Sequence, residues 1–393
     1  MSPARKDVFI VAAKRTPLGS FQGSLSSLTA PELGSIAIRA CLDSINLSGS
    51  EVDEVLIGNV LQASVGQAPA RQASLQAGVT KSAPCTTINK VCASGTKALI
   101  FGAQSIMLGD NDVVITGGME SMSNVPYYLS RGNTPYGGMH LVDGVIRDGL
   151  TDAYDNIHMG LCAEKLAQTY GISREDSDAF AKQSYHKAAK AKEMGLHDKE
   201  IVSVVIPGGK RKSDITVVED EEIAKVNFDK MPYLNPVFQK DGTITAANAS
   251  SLNDGAAACI LMSEVALNKY QITPLAKVLD FADAATEPKD FGIAPAYAIE
   301  KLLSKTNVCK SQISMWELNE AFSTIGLANI KKLSLDPSKV NPFGGAVSMG
   351  HPLGCSGARI VNVLAHHLRP EELGVAAICN GGGGASAVLV QKL

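Results

Sequence analysis

Short, nearly continuous apolar runs alternate along the chain with stretches of helical period. Residues 7–13, DVFIVAA, predict a buried strand, and residues 31–46, with apolar positions at helical spacing and a proline in the first turn, predict a helix. A second strand is predicted at 54–61 (EVLIGNVL), an alanine-rich helix at 93–108, and a third strand at 112–118 (DVVITGG). Strands that are apolar throughout, rather than alternating, belong to sheets covered on both faces, so the pattern implies an α/β fold. Residues 122–250 break it. They carry Tyr, Met, His and charge, including a basic run at 210–212 and an acidic run at 219–222, both of which read as solvated loop. From Leu252 to Tyr270 the α/β character returns.

Two segments resemble each other. Residues 92–121 and 354–386 both run Ser-Gly, a basic residue, an apolar helical stretch, an acidic turn, a strand and a glycine cluster. Such a repeat implies two related halves, each bringing a helix start and a glycine-rich strand end to a shared place. The organisation expected is an N-terminal half at 1–121 completed by 252–274, an inserted loop domain at 122–251, and a C-terminal half at 275–393.

Composition narrows the function classes. The 393 residues suffice for two or three domains, and 45% hydrophobic with 19% charged residues is a globular balance. A net charge of −3 argues against a nucleic-acid footprint. No run of about 18 apolar residues stands out, so no membrane span is expected. The eight cysteines are scattered without a CxxC pair, which argues for a reducing compartment rather than a disulfide scaffold or structural zinc. The start enters a strand within a few residues and leaves no room for a transit segment, and the final QKL is close to a peroxisomal address but also ends a core strand.

Four positions carry candidate chemistry. Cys92 in VCASG precedes a helix, where unpaired N–H groups and the helix dipole favour a thiolate nucleophile; a buried turn cysteine has the same pattern. His351 lies in a glycine-dense turn before a helix and could take a thiol proton, or merely hydrogen-bond the turn. Its spacing to Cys355 would make half a metal site, but no further ligands cluster with them. Cys379 ends an apolar strand and opens into four glycines, whose backbone N–H groups can build an oxyanion hole. The glycines lack the lysine and spacing of a phosphate loop. Asn319, where MWEL stops, could orient a water or cap the next helix.

Together these motifs resemble the thiolases. VCASG, NEAFS, GHPLGCSGAR and CNGGGGAS occur in that family's order and spacing, and the resemblance runs from about Val8 to Leu389. IHMG (157–160) and TAANASSLNDGAAA (245–258) are similar to the short-chain acetoacetyl-CoA thiolases, and ADAATEP, IAP and MWELNEAF to their potassium-dependent mitochondrial branch. The resemblance implies two βαβαβαββ halves in a five-layered α/β/α/β/α sandwich, a homotetramer, and reversible condensation of two acetyl-CoA to acetoacetyl-CoA plus CoA, with no catalytic cofactor. It implies Cys92 as the acyl carrier, His351 and a water on Asn319 for the first oxyanion, Cys379 as acid and base, and backbone N–H groups of Cys92 and Gly381 for the second oxyanion. It implies CoA contacts at Ser250, His158, Tyr185, Lys225, Asn227 and Lys230. A potassium ion would be held by Tyr185 with the backbone of Ala246, Ala247, Ala249 and Val347. The mitochondrial matrix or the cytoplasm is the implied compartment. One departure, Phe291-Gly292 where that branch has Phe-Pro, puts branched 2-methylacetoacetyl-CoA in question as a substrate. Two rivals remain: a decarboxylating ketoacyl synthase, which generally lacks the second cysteine, and a non-catalytic acyl-CoA carrier, which has no need of all four residues.

Overall fold

The first apolar run forms strand β1 (Val8–Arg15), which lies at the middle of the main sheet in the computed structural model. The structure describes residues 5–133, 135–208 and 213–393. The other strands are β2 (Glu54–Gly58), β3 (Cys85–Ile88), β4 (Val113–Ser121), β5 (Asn253–Met262), β6 (Ala276–Ala285), β7 (Ile313–Leu318), β8 (Leu373–Asn380) and β9 (Gly384–Lys392). Their order is β7-β8-β9-β6-β1-β5-β4-β2-β3, with Gly19–Ser20 paired to β5. From the β1–β6 junction outward, each side shows the same sequence of pairings: two antiparallel, then parallel. On one side β2 then pairs in parallel with β3; on the other a parallel bridge from Trp316 to Val340 takes that place. The sequence repeat is therefore a repeat of topology.

Helices cover the sheet in layers. Helix α1 (Ala30–Ser44) starts in a capping box between Thr29 and Glu32, with Pro31 in the first turn, and packs with α2 (Pro69–Gln76) on the N-terminal half. Helices α3 (Ser94–Leu108), α6 (Ala294–Thr306), α7 (Ser323–Leu333) and α8 (Leu353–His367) follow the later strands. Three apolar cores result: one under α1 and α2, one under α6 and α7, and a central one that gathers Leu99, Ile100, Val361 and Leu364 from α3 and α8 with Val114 and Val388 from the sheet. Three helical layers and two sheet halves make the expected five-layered sandwich. In the central layer α3 and α8 touch backbone to backbone: a Cβ on Gly95 would stand 2.7 Å from the amide nitrogen of Ala358, and one on Gly357 2.7 Å from that of Thr96. Val91–Leu108, the described segment long and apolar enough to cross a membrane, is this central core helix.

The insert contributes α4 (Met159–Tyr170) and α5 (Arg174–Glu193) and two short hairpins. The basic run at 210–212 lies outside the described residues. The acidic run at 219–222 is not the solvated loop its composition predicts. Asp220 is buried and accepts from the Arg15 guanidinium at 2.7 and 2.9 Å, while Glu221 accepts from the backbone N–H groups of Ser20 and Ser24. Arg15, fully buried at the end of β1, also donates to Glu200 at 2.8 Å. A charge buried in the core draws its counter-charges in from the insert, because leaving it unpaired costs far more than ordering the loop. Arg15→Met should therefore destabilise the chain by about 3–5 kcal/mol, since Glu200 and Asp220 stay buried without a cation. Urea unfolding measures it; a loss under about 1 kcal/mol would mean that water enters the pair.

Candidate active site

Strand β3 delivers the chain to a tight turn at Asn89–Cys92. The Asn89 carboxamide accepts from the Val91 N–H (3.0 Å) and donates to the Val60 carbonyl (3.1 Å), and the Ser94 hydroxyl accepts from the Lys90 N–H at 2.8 Å. Val91 is held at φ +48°, a left-handed conformation that a β-branched residue rarely adopts. This turn sets Cys92 at the head of α3, as the sequence predicts. The chemical consequence differs from the prediction. Burial pushes the Cys92 thiol up to about 12, partly offset by the N–H groups of Gly381 and of Cys92 itself, with Glu120 raising it further. The helix start alone does not make a thiolate; the resting group is a thiol and needs a base.

His351 lines the same cavity as Cys92. Gly350 before it has φ +102°, and a Cβ there would fall 2.2 Å from the Asn253 side chain, so only glycine fits. The His351 N–H donates to Asn253 Oδ1 at 3.0 Å. Its ring Nδ1 lies 2.6 Å from Ser356 Oγ, whose own hydrogen is committed to the Pro352 carbonyl at 3.0 Å. Nδ1 therefore carries the proton and donates to Ser356, leaving Nε2 an acceptor. Burial, helped by the Arg359 charge, pushes the ring down to about 3. Carbon-13 NMR of labelled histidine should show the His351 ring neutral from pH 8 down to pH 5. A midpoint near 6.5 would mean that the ring is hydrated and the tautomer unfixed.

Asn319 follows β7, with its backbone N–H on the Ala377 carbonyl. It does not cap the next helix: α7 starts at Ser323 with Phe322 before it. Its Nδ2 faces His351 Nε2 at 3.4 Å, and its Oδ1 is buried without a partner. An unpartnered buried acceptor beside a histidine is a place for an ordered water. Cys379 lies at the end of β8, fully buried, and both that burial and the neighbouring Cys92 push its thiol well above the ordinary range. Past it, Gly381 turns its N–H toward the Cys92 sulfur. Gly383 continues the turn at φ +86°, where a Cβ would strike the Thr286 carbonyl at 2.2 Å.

Cys92, His351 and Gly381 open on one cavity of about 290 Å³, whose walls include His158, Phe238, Ser250, Phe291 and Phe322. His158 stacks on Phe238 at 4.7 Å, and Ser250 donates to the Ala321 carbonyl at 2.8 Å. Lys225, Asn227 and Lys230 do not line this cavity. They are exposed on the insert, where Lys225 pairs with Glu222 and Ser20, and the Asn227 side chain accepts from the Lys230 N–H. Tyr185 is buried in a small cluster with Met231 and Val347, against which Ala247 packs; Ala249 lies on the cavity wall and Ala246 is exposed. Burial, and the nearby Glu222 and Glu320 carboxylates, push Tyr185 up to about 12.

Two residues of the site escaped the sequence reading. Glu120, buried on β4, accepts from Asn59 Nδ2 and from the N–H groups of Val60, Leu61 and Gly354 at 2.8–3.1 Å, and burial holds it at about 7. It ties the head of α8 to the turn after β2. A lone acid inside the strand VVITGGMES was the available signal. Ser356, which fixes the histidine tautomer, stands in the GCSGAR motif but drew attention only as part of the repeat.

Residues 8–265 match the family "Thiolase, N-terminal domain" and residues 272–392 the family "Thiolase, C-terminal domain". The chain is 58% identical over 388 residues to acetyl-CoA acetyltransferase A, mitochondrial, of Xenopus laevis, covering 98% of this chain and 92% of that one. It is 56% identical over 392 residues to the mitochondrial acetyl-CoA acetyltransferase of Homo sapiens, covering 100% and 92%. Among solved structures, the Acat5 thiolase of Ascaris suum in complex with coenzyme A superposes with a TM-score of 0.95 at 50% identity, covering 99% of this chain and 100% of that one. Human mitochondrial 3-ketoacyl-CoA thiolase gives 0.95 at 38%, covering 99% of each chain.

Proposed function

The chain belongs to the thiolase family, and from that premise we propose an acetyl-CoA C-acetyltransferase that interconverts two acetyl-CoA with acetoacetyl-CoA and CoA. The observation that carries this reading is the pairing of two buried cysteines, 92 and 379, as neighbours, the first of them on the wall of an apolar cavity with a neutral histidine and the Gly381 backbone. A ketoacyl synthase has no task for the second thiol.

In the first half-reaction His351 Nε2 takes the Cys92 proton as sulfur attacks the acetyl-CoA carbonyl. The protonated ring and a water on Asn319 hold the oxyanion, and CoA leaves as the tetrahedral centre collapses to acetyl-Cys92. The departing CoA thiolate takes up the Cys379 proton, and in the second half-reaction the Cys379 thiolate removes the Cα proton of another acetyl-CoA. The carbanion attacks the acetyl carbonyl, the oxyanion forms against the N–H groups of Cys92 and Gly381, each such donor worth about 3–4 kcal/mol, and its collapse releases acetoacetyl-CoA and expels Cys92, which regains its proton from His351. Thiolysis runs these steps backward. Ser250 and His158 face the pantetheine and acyl ends; Tyr185, Lys225, Asn227 and Lys230 serve the nucleotide end. The halves 1–121 with 252–274 and 275–393 frame the site, and 122–251 covers it.

The cluster around Tyr185 suits a potassium ion: a phenol oxygen near two carboxylates, beside Val347 and Ala247. Tyr185 and the backbone of Ala246, Ala247, Ala249 and Val347 would hold it, and the ion would fix the loop that carries Ser250. A homotetramer in the mitochondrial matrix completes the proposal, on the likeness to relatives named as mitochondrial. The test is loss of acetoacetyl-CoA on mixing with CoA, with and without potassium. Two acetyl-CoA formed per molecule lost, faster with potassium, is the expected result. No loss would sink the short-chain assignment.

A further inference from the structure

Away from the active site, at the far end of α8, three potential metal ligands meet: His197 and Glu200 from the loop after α5, and His367, the last residue of α8. The fifteen residues of α8 place this end about 22 Å from its catalytic head. Each side chain offers one ligand atom, and the three atoms lie within 4.8 Å of one another. Tetrahedral bonds of 2.0–2.2 Å put ligands roughly 3.4 Å apart, so they need to close by up to about 1.4 Å.

Hydrogen bonding accounts for only part of the cluster. His197 Nε2, Glu200 Oε2 and His367 Nε2 are all buried without partners. Unpaired buried acceptors cost stability, and each of these three residues carries one. The groups around them have the arrangement of an outer shell. His197 Nδ1 and Arg15 Nε both reach Glu200 Oε1 at 2.8 Å, which leaves Oε2 free. Phe343 packs on the His367 ring at 4.3 Å and sets its orientation. One guanidinium against the carboxylates of Glu200 and Asp220 leaves a net negative charge nearby. Burial works against ionisation of Glu200, but Arg15 and His197 more than offset it and hold it well below the usual range, while burial pushes His367 down to about 4. Both thus stand in their metal-binding forms at neutral pH. A cavity of about 250 Å³, bounded by His197 and Asp220, provides an approach.

We propose that His197, Glu200 and His367 form a binding site for a divalent transition metal of the zinc class, with water completing the coordination. Two ligands come from the insert and one from the C-terminal half, so the ion is a staple between them and takes no part in acyl transfer.

The test uses the full-length protein with its active-site thiols alkylated, because Cys92 and Cys379 could bind zinc themselves. Stripped protein titrated with Zn²⁺ in a calorimeter should take up one equivalent, and its melting temperature should rise. The double variant His197→Phe/His367→Ala, unalkylated, should keep wild-type thiolysis. In alkylated form it should lose that equivalent and the thermal shift, with affinity falling beyond the roughly 10–100-fold typical of outer-shell changes. Crystals soaked in Zn²⁺ should show an anomalous peak between the three side chains. No uptake by the alkylated wild type, equal uptake by the double variant, or a peak elsewhere only, would overturn the proposal.

Discussion

Cys92→Ala will lower condensation and thiolysis by roughly 10⁴–10⁶-fold and leave no acetyl group on the protein after mixing with labelled acetyl-CoA. The size of the loss follows from the position. In the proposed reaction Cys92 carries the acyl group through both half-reactions: the left-handed turn at Val91 sets it on the cavity wall with His351, and the Gly381 N–H faces its sulfur. The side chain is small and the turn is held by Asn89 and Ser94, so the variant should fold. Peptide mass spectrometry of the wild type supplies the positive control, with acetyl on the peptide containing residue 92. Acetyl trapped on a different cysteine would end the assignment.

Cys379→Ala separates the half-reactions. This variant should still acetylate Cys92 at a rate close to wild type, yet condense roughly 10²–10⁴-fold more slowly, the usual contribution of a positioned acid or base. The asymmetry follows from the proposed division of labour: His351 serves Cys92, while Cys379 is fully buried at a strand end beside Cys92. Stopped-flow release of CoA in the first turnover reports acetylation, and acetoacetyl-CoA formation reports condensation. Near-normal condensation would remove Cys379 from the chemistry.

Much of the fold was legible because its signals are local. Apolar runs marked β1, β2 and β4, and Pro31 marked the first turn of α1. The boundaries moved where side chains from elsewhere intervened: β2 stops at Gly58 rather than 61 because the N–H groups of Val60 and Leu61 turn to Glu120. Cys92, His351, Asn319 and Cys379 were legible as motifs, but their protonation was not. A helix start argues for a thiolate, and only the packing shows that burial prevails at Cys92. The acidic run at 219–222 misled for the same reason, since its buried counter-charge, Arg15, lies two hundred positions away.

The order of strands bears on how the chain is made. β5 fills the place between β1 and β4, with Phe9 opposite Met262 and Met262 opposite Val113. On a ribosome adding about 5–20 residues per second, β1 waits roughly 12–50 s and β4 roughly 7–28 s for the strand that joins them, while the whole insert emerges. During that interval β1 and β4 both offer unpaired backbone edges to any neighbouring chain. The first half thus cannot mature as an independent early unit during synthesis. Nascent protein should be aggregation-prone and dependent on holding chaperones until about residue 262 is clear, a vulnerability that the finished sandwich conceals.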